Sequence, residues 1–240
     1  METMLIRETY KMIRVLDTKE DYAFLECVNI RDREKRACLL NLYEGDLLPV
    51  YLDLYDRAGN WPAFKEVFLA GNTLVSVVDP VKGEPIDQVF YRGADLPWQN
   101  RLELAEQLLH KALTLSELPA QMACAAMLSE NLLVDLTEQQ IHIRWHLVPM
   151  EEMNSRELVY LTVDQLQKIL LERLNIPQAE RDFMDLLKSG TCTSVVQLYS
   201  LWREWQGVIL AGYQELEKQS IVRRWLGNLW RMIKYKWKKR

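Results

Sequence analysis

The polar residues best placed for chemistry lie in one stretch, residues 124–147. Glu130 and Asn131 precede a short apolar run, Leu132 to Val134, and a polar turn then leads into the alternating strand Ile141-His142-Ile143. An asparagine oxygen can contribute to a Mg²⁺ site, but Mg²⁺ in proteins is held chiefly by carboxylates and substrate phosphates. Asn131 alone is therefore a poor metal site, and we interpret its side chain as a hydrogen-bonding partner for the backbone of its own loop.

The three histidines, His110, His142 and His146, could serve as a general base or as metal ligands. They are dispersed, and neither a cysteine nor a carboxylate accompanies them at a ligand spacing. His142 alternates with two isoleucines and His110 lies on the polar side of an amphipathic segment, so both are expected to face away from the core. No metal site is predicted from them, and the four cysteines are predicted to be reduced thiols.

The stretch resembles the catalytic-loop hairpin of protein kinases, which reads H-R-D-L-x-x-x-N, then a hairpin, then D-F-G. Asn131 falls on the asparagine of that motif. The position of the catalytic aspartate is then occupied by Ala126, and the D-F-G triplet corresponds to Trp145-His146-Leu147. The resemblance implies a kinase-like scaffold whose chemical groups have been replaced. It also implies that the large Trp145 ring fills the nucleotide cleft.

The N-terminal region predicts a sheet that lacks the phosphate-binding features of a kinase. Three apolar runs, Tyr10–Asp17, Tyr22–Ile30 and Arg36–Tyr43, are joined by short polar turns and favour an antiparallel meander. The resemblance requires a glycine-rich first turn, yet no glycine occurs before Gly45. The strand-three lysine that grips phosphates corresponds to Asn41, which carries no charge.

The predicted fold class is α+β, with an N-terminal antiparallel β lobe over residues 1–95 and a reduced helical lobe over residues 96–222. Apolar spacing predicts the helices of both lobes. They are Leu47–Arg57, Asn100–Leu118, Pro119–Met127, Thr162–Leu174 with Thr162 as N-cap, Ala179–Lys188 and Ser194–Leu216. Ala63–Ala70 and Thr73–Asp79 are predicted as strands, and Ile86–Tyr91 as a strand or a hinge. Residues 223–240 form a third, basic segment.

Phosphoryl transfer by the kinase route requires a catalytic aspartate, a metal-binding aspartate and a phosphate-gripping lysine. The matching positions hold Ala126, Trp145 and Asn41. We therefore predict a catalytically inactive pseudokinase that uses no cofactor and acts as a scaffold or signalling platform. Two alternatives stay open. One is an atypical nucleotide-binding phosphotransferase with relocated acids such as Asp135 or Glu130, and the other is a plain protein-interaction domain.

Charge is unevenly distributed along the chain. The net charge is −4, but residues 223–240 contain eight lysines or arginines and no acid, which leaves 22 basic against 34 acidic residues elsewhere. Tryptophans at helical spacing among cations are typical of a membrane-interface helix, or of the cytoplasmic flank of a transmembrane segment beyond Arg240. The predicted contact residues are Arg223, Arg224, Trp225, Trp230, Lys234, Lys236, Trp237, Lys238, Lys239 and Arg240.

The predicted partners are an anionic membrane surface, at the inner face of the plasma membrane, and a protein whose identity the sequence does not give. The alternative for the basic segment is a helix packed on the helical lobe. Nucleic acid is disfavoured because the acidic body would repel it. A cytoplasmic kinase-like domain followed by a basic membrane flank is similar to the plan of membrane pseudokinases in bacterial secretion and signalling systems, and by that analogy we expect a bacterial protein.

Overall fold

The computed structural model describes residues 5–90, 96–170 and 176–218. Its first elements are β1 (Leu5–Ile6), β2 (Tyr10–Lys19), β3 (Tyr22–Asn29), β4 (Ala37–Tyr43), α1 (Leu47–Ala58), β5 (Glu66–Ala70) and β6 (Thr73–Val78). The strands form one antiparallel sheet in the order β1-β2-β3-β4-β6-β5, with α1 as the connection between β4 and β5. The predicted meander and the predicted N-terminal β lobe are confirmed.

Side-chain alternation gives this sheet a buried surface on both faces. Phe24 on β3 and Asn41 on β4 are register partners, and their side chains lie on the face toward the helical region. Leu25 and Leu40, the next pair, lie on the opposite face within a second apolar core. Because successive residues of a strand point to opposite faces, the register of this hairpin decides which side chains meet the rest of the molecule.

Tyrosines hold α1 against the sheet. Tyr43 at the end of β4 stacks on Tyr51, with ring centroids 3.8 Å apart. The hydroxyl of Tyr55, one turn later, lies 2.6 Å from Ser76 Oγ on β6. The buried positions of α1 recur at the spacing of one helical face, so its predicted position is confirmed.

The second half is mostly helical. It comprises β7 (Glu84–Pro85), α2 (Ile86–Val89), α3 (Trp98–Leu115), α4 (Ala120–Ala126), β8 (Leu132–Asp135), β9 (Gln140–Ile143), α5 (Ser155–Ile169), α6 (Gln178–Lys188) and α7 (Val195–Lys218). Strands β7, β8 and β9 make a small antiparallel sheet, in which β8 and β9 are the predicted hairpin. Helix α3 contacts both α5 and α7, and these three helices enclose the core of this region.

Two predicted elements were wrong. Ile86–Tyr91 was expected to be a strand or a hinge, but Ile86–Val89 is a short helix that begins after Pro85. Helix α5 begins at Ser155 rather than at Thr162, because Asn154 and Glu157 form a capping box that satisfies the first free amide groups. Thr162 is buried in mid-helix, where its hydroxyl donates to the carbonyl of Leu158.

Two features of the prediction lie outside the described residues. The boundary between residues 95 and 96 adjoins the undescribed residues 91–95, and the basic segment 223–240 belongs to the undescribed residues 219–240. Among the helices of residues 5–90, 96–170 and 176–218, none combines the length and the apolar character needed to cross a membrane.

Candidate functional site

Asn131 is a buried structural link between α4 and the chain after β9. It lies in a short 3-10 turn, Ser129–Asn131, just before β8. Its Nδ2 donates to the carbonyls of Ala125 at 2.7 Å and His146 at 2.8 Å. Both amide protons are therefore committed to backbone groups, while Oδ1 is buried without a hydrogen-bond partner among the described residues. The arrangement holds the end of α4 and the segment 145–147 together.

The position matched to the catalytic aspartate is part of the apolar core. Ala126 is the last residue of α4 and has no exposed surface. The two residues before it, Cys124 and Ala125, are buried as well. A methyl group in this place can neither position a substrate hydroxyl nor accept its proton.

Asn41, at the position matched to the phosphate-gripping lysine, joins the sheet to the segment 145–147. Its Oδ1 accepts from the Leu147 amide and from the Tyr22 hydroxyl, both at 2.9 Å. Its Nδ2 donates to the Trp145 carbonyl at 2.9 Å. The side chain has no exposed surface, so these bonds satisfy groups that would otherwise be buried and unpaired.

His146 fills the space beneath the first hairpin of the sheet. Its ring stacks on Phe24 with centroids 4.4 Å apart and lies 6.0 Å from the ring of Tyr22. Nε2 lies 3.1 Å from Asp17 Oδ2, and Nδ1 lies 3.5 Å from Glu130 Oε1. Burial lowers the pKa of His146, and the nearby carboxylates oppose that effect only in part. A mostly buried imidazole thus occupies the junction of the two regions.

The Trp145 ring occupies a different place from the one predicted. It packs edge-on against Trp61 and Phe64, with centroid distances of 6.3 Å and 5.5 Å. The ring that lies against Phe24 belongs to His146, the next residue. The junction beneath the sheet is therefore filled by a side chain, but by the neighbour of the residue that the sequence indicated.

The turn between β2 and β3, which matches the glycine-rich loop, is attached to the start of α1. Asp21 accepts a hydrogen bond from the Asp46 amide through its carboxylate and one from the Glu44 amide through its carbonyl. Gly45 has φ of +46°, and a Cβ there would overlap the Asp21 carboxylate. The glycine is required at this point by the close approach of the turn. Backbone and carboxylate groups of the turn are used to hold the fold together.

A second group of polar side chains lies at the tip of the β8–β9 hairpin. The ligand atoms of Asp135, Glu138 and His142 lie within 4.8 Å of one another, although the sequence spacing did not suggest it. Asp135 Oδ1 accepts from the amides of Thr137 and Glu138, at 2.8 Å and 3.1 Å. The tight turn accounts for this grouping, since it folds β9 back along β8 and so brings His142 close to Asp135 and Glu138.

Comparison with known proteins identifies the fold. No protein-family model matches the chain, and no curated protein matches it. Among solved structures, the crystal structure of Rad53 residues 1–466 in complex with AMP-PNP superposes with a TM-score of 0.58 at 14% sequence identity. The alignment covers 83% of this chain and 66% of that one. The fold is protein-kinase-like. The predicted fold class, a β lobe followed by a helical lobe, is confirmed.

In a kinase-like fold, the contacts of Asn41, Asn131 and segment 145–147 all lie at the junction of the two lobes. The sequence analysis identified these positions but missed Phe24 and Tyr22, whose aromatic rings cover the junction on the side of the sheet. Their signal was available, because alternation along β3 places both side chains on one face and the hairpin register sets Phe24 opposite Asn41. The predicted contact residues of segment 223–240 lie outside the described residues.

Proposed function

We propose that this chain is a pseudokinase, a kinase-like domain that performs no phosphoryl transfer and serves as a platform for the assembly of other proteins. The observation that carries the proposal is the hydrogen-bonding of Asn41. The kinase route needs a charged lysine at this position, free to contact phosphates. Here the position holds the neutral amide of Asn41, which is hydrogen-bonded to the backbone of Trp145 and Leu147.

The other matched positions support the same conclusion. Ala126 supplies no acid or base, and the residue at the metal-binding position is the indole of Trp145. The stacked rings of His146 and Phe24 occupy space beneath the sheet, and Asp21 places a carboxylate in the turn that would have to approach a triphosphate. A negative group there opposes phosphate binding through simple charge repulsion.

Nucleotide binding tests this proposal. We expect no thermal shift of the purified chain with ATP or GTP, with or without Mg²⁺ or Mn²⁺, and no transfer of labelled phosphate to itself or to a generic substrate such as casein. An active protein kinase measured under identical conditions provides the positive control. Binding at micromolar nucleotide that requires Mg²⁺ would instead favour the atypical phosphotransferase, with acids such as Asp135 or Glu130 in new roles.

We further propose that residues 223–240 attach the platform to an anionic membrane surface at the cytoplasmic face, as in bacterial membrane pseudokinases. The support is the composition of that segment, eight cations and three tryptophans, next to a body of net charge −12. Each cation near an anionic leaflet contributes about 1 kcal/mol, so eight would bind firmly at low salt.

Liposome co-sedimentation tests the attachment. The full chain is expected to sediment with vesicles containing phosphatidylserine, to remain soluble with vesicles of phosphatidylcholine alone, and to lose binding as salt is raised. A chain that ends at Val222 is the matched control and should stay in the supernatant. Equal sedimentation of the two chains would contradict the attachment and favour a protein partner for the segment.

A further inference from the structure

A cavity of about 780 Å³ lies between the loop after α1, the C-terminal half of α3 and strand β9. Its walls include Trp61, Trp145 and Ile143, and Lys111 of α3 lies in its lining. None of the residues that fill the junction beneath the sheet, such as Phe24 or Asn41, contributes to it. The cavity is therefore separate from the position that a kinase would use for nucleotide. We call it the Trp61–Trp145 cavity.

The two indole rings of this cavity are fixed by further aromatic contacts. Trp61 and Trp145 are edge-on to each other at 6.3 Å, and Phe64 packs edge-on against Trp145 at 5.5 Å. Phe64 in turn is edge-on to Tyr55, a buried residue of α1, at 5.0 Å. Both indoles are only half-buried, so each presents apolar surface in a fixed orientation. Rigid, partly exposed aromatic groups are typical of binding hot spots.

Lys111 gives the cavity a positive group that no described residue neutralises. It is half-buried on α3 and makes no ion pair or side-chain hydrogen bond with residues 5–90, 96–170 or 176–218. Burial lowers the pKa of its ammonium group, with no carboxylate acting in the opposite direction. A partly desolvated cation without a counter-charge is unfavourable, and a carboxylate brought by a ligand would relieve it.

The other polar groups at the cavity do not compete for that role. Gln107 is committed to β9, since its Nε2 donates to the Gln139 carbonyl and its Oε1 accepts from the Ile141 amide. His110 is engaged with the Tyr199 hydroxyl at 2.9 Å. Glu117, the acid of the lining, is an exposed residue beyond the last turn of α3. Within the described part of its lining, the cavity therefore combines aromatic walls with one available cation, Lys111.

We propose that the Trp61–Trp145 cavity is a docking site for a segment of a partner protein, one that presents a large apolar side chain next to a carboxylate. The apolar side chain would pack against the exposed surfaces of the indoles, and the carboxylate would pair with Lys111. The exposed rim, which includes Pro62 and Gln140, leaves room for a peptide backbone to pass over the opening. The choice of a protein ligand rests on the proposed platform function.

Peptide selection tests this inference on the full chain. A phage-displayed library of random heptapeptides is panned against the chain, and enriched peptides are synthesised with blocked ends. We expect them to contain glutamate or aspartate beside Trp, Phe or Leu. Binding should weaken about tenfold or more when the acid is replaced by its amide, or when the chain carries Lys111→Gln, because one charge-assisted contact is lost. Trp61→Leu should weaken it as well.

Lys19→Gln is the matched control, since it removes one positive charge from an exposed position on β2 and should leave peptide binding unchanged. Failure to enrich any peptide, or peptides that bind wild type and Lys111→Gln equally, would overturn the inference. Indole-3-acetate that binds as tightly as the best peptide would also overturn it, in favour of a small organic acid. None of these results depends on nucleotide binding, so this inference and the proposed function can fail independently.

Discussion

Replacement of Glu180 by alanine is expected to lower the free energy of unfolding by about 3–5 kcal/mol, the usual cost of removing one partner of a buried ion pair. Glu180 on α6 has no exposed surface and lies 3.6 Å from the guanidinium of Arg101 on α3. The Tyr213 hydroxyl on α7 donates to Glu180 and accepts from Arg101 Nη2 at 2.7 Å. Among the described residues, alanine leaves the buried arginine charge with only neutral partners, the Tyr213 hydroxyl and the Ile169 carbonyl.

Urea denaturation of the Glu180→Ala variant measures this effect. Asp53→Ala is the matched control, because it breaks an exposed Arg57–Asp53 pair within α1 and should cost about 0.5 kcal/mol or less. A loss for Glu180→Ala no larger than that of the control would show that the three helices do not depend on this ion pair. Each variant removes one carboxylate that faces an arginine. The expected difference between their losses of stability therefore comes from burial.

Replacement of Asn41 by leucine is expected to cost about 3 kcal/mol or more, since three buried polar groups lose their partner at roughly 1–3 kcal/mol each. Those groups are the Leu147 amide, the Trp145 carbonyl and the Tyr22 hydroxyl. Leucine has the same branched heavy-atom skeleton as asparagine, but its methyl groups are larger, so crowding at this buried position adds to the loss of hydrogen bonds. Urea denaturation, compared with Asn60→Leu at an exposed position, gives the measurement.

The Asn41→Lys variant tests whether this site lacks only the lysine of the kinase motif or whether its surroundings have also changed. Lysine restores the residue type of the kinase motif, but it would be buried between Tyr22 and the backbone of segment 145–147. We expect this variant to be destabilised and to gain no nucleotide binding, since an isolated buried ammonium is strongly unfavourable. Mg²⁺-dependent ATP binding by Asn41→Lys would show that the junction is open enough for a nucleotide.

The sheet was predictable because its pattern is local. Alternating apolar residues and short polar turns predict β2, β3 and β4 whatever lies beneath them. The place of Phe24 opposite Asn41 was missed, because it also depends on the register of β3 against β4. The start of α5 was missed for a different reason. Thr162 and Asn154 are both acceptable N-caps by type, and only the reciprocal bond from Glu157 decides between them.

The side-chain directions at the junction depend on packing that the sequence does not display. Trp145 and His146 are neighbours, and either ring could have met the sheet. The aromatic set of Trp61, Phe64 and Tyr55 accommodates the indole, which leaves the imidazole to stack on Phe24. Residues so far apart in the chain are brought together by the packing of α1 on the sheet, and that packing is a property of the tertiary fold.

Hydrogen bonds join the sheet to segment 145–147. Asn41 and Tyr43 both reach Leu147, the tyrosine hydroxyl donating to its carbonyl at 2.8 Å. These bonds couple the position of β4 to that of the β8–β9 hairpin, which segment 145–147 follows. A force applied to the hairpin, for example by a protein that bends it, would therefore be transmitted through these bonds to the sheet.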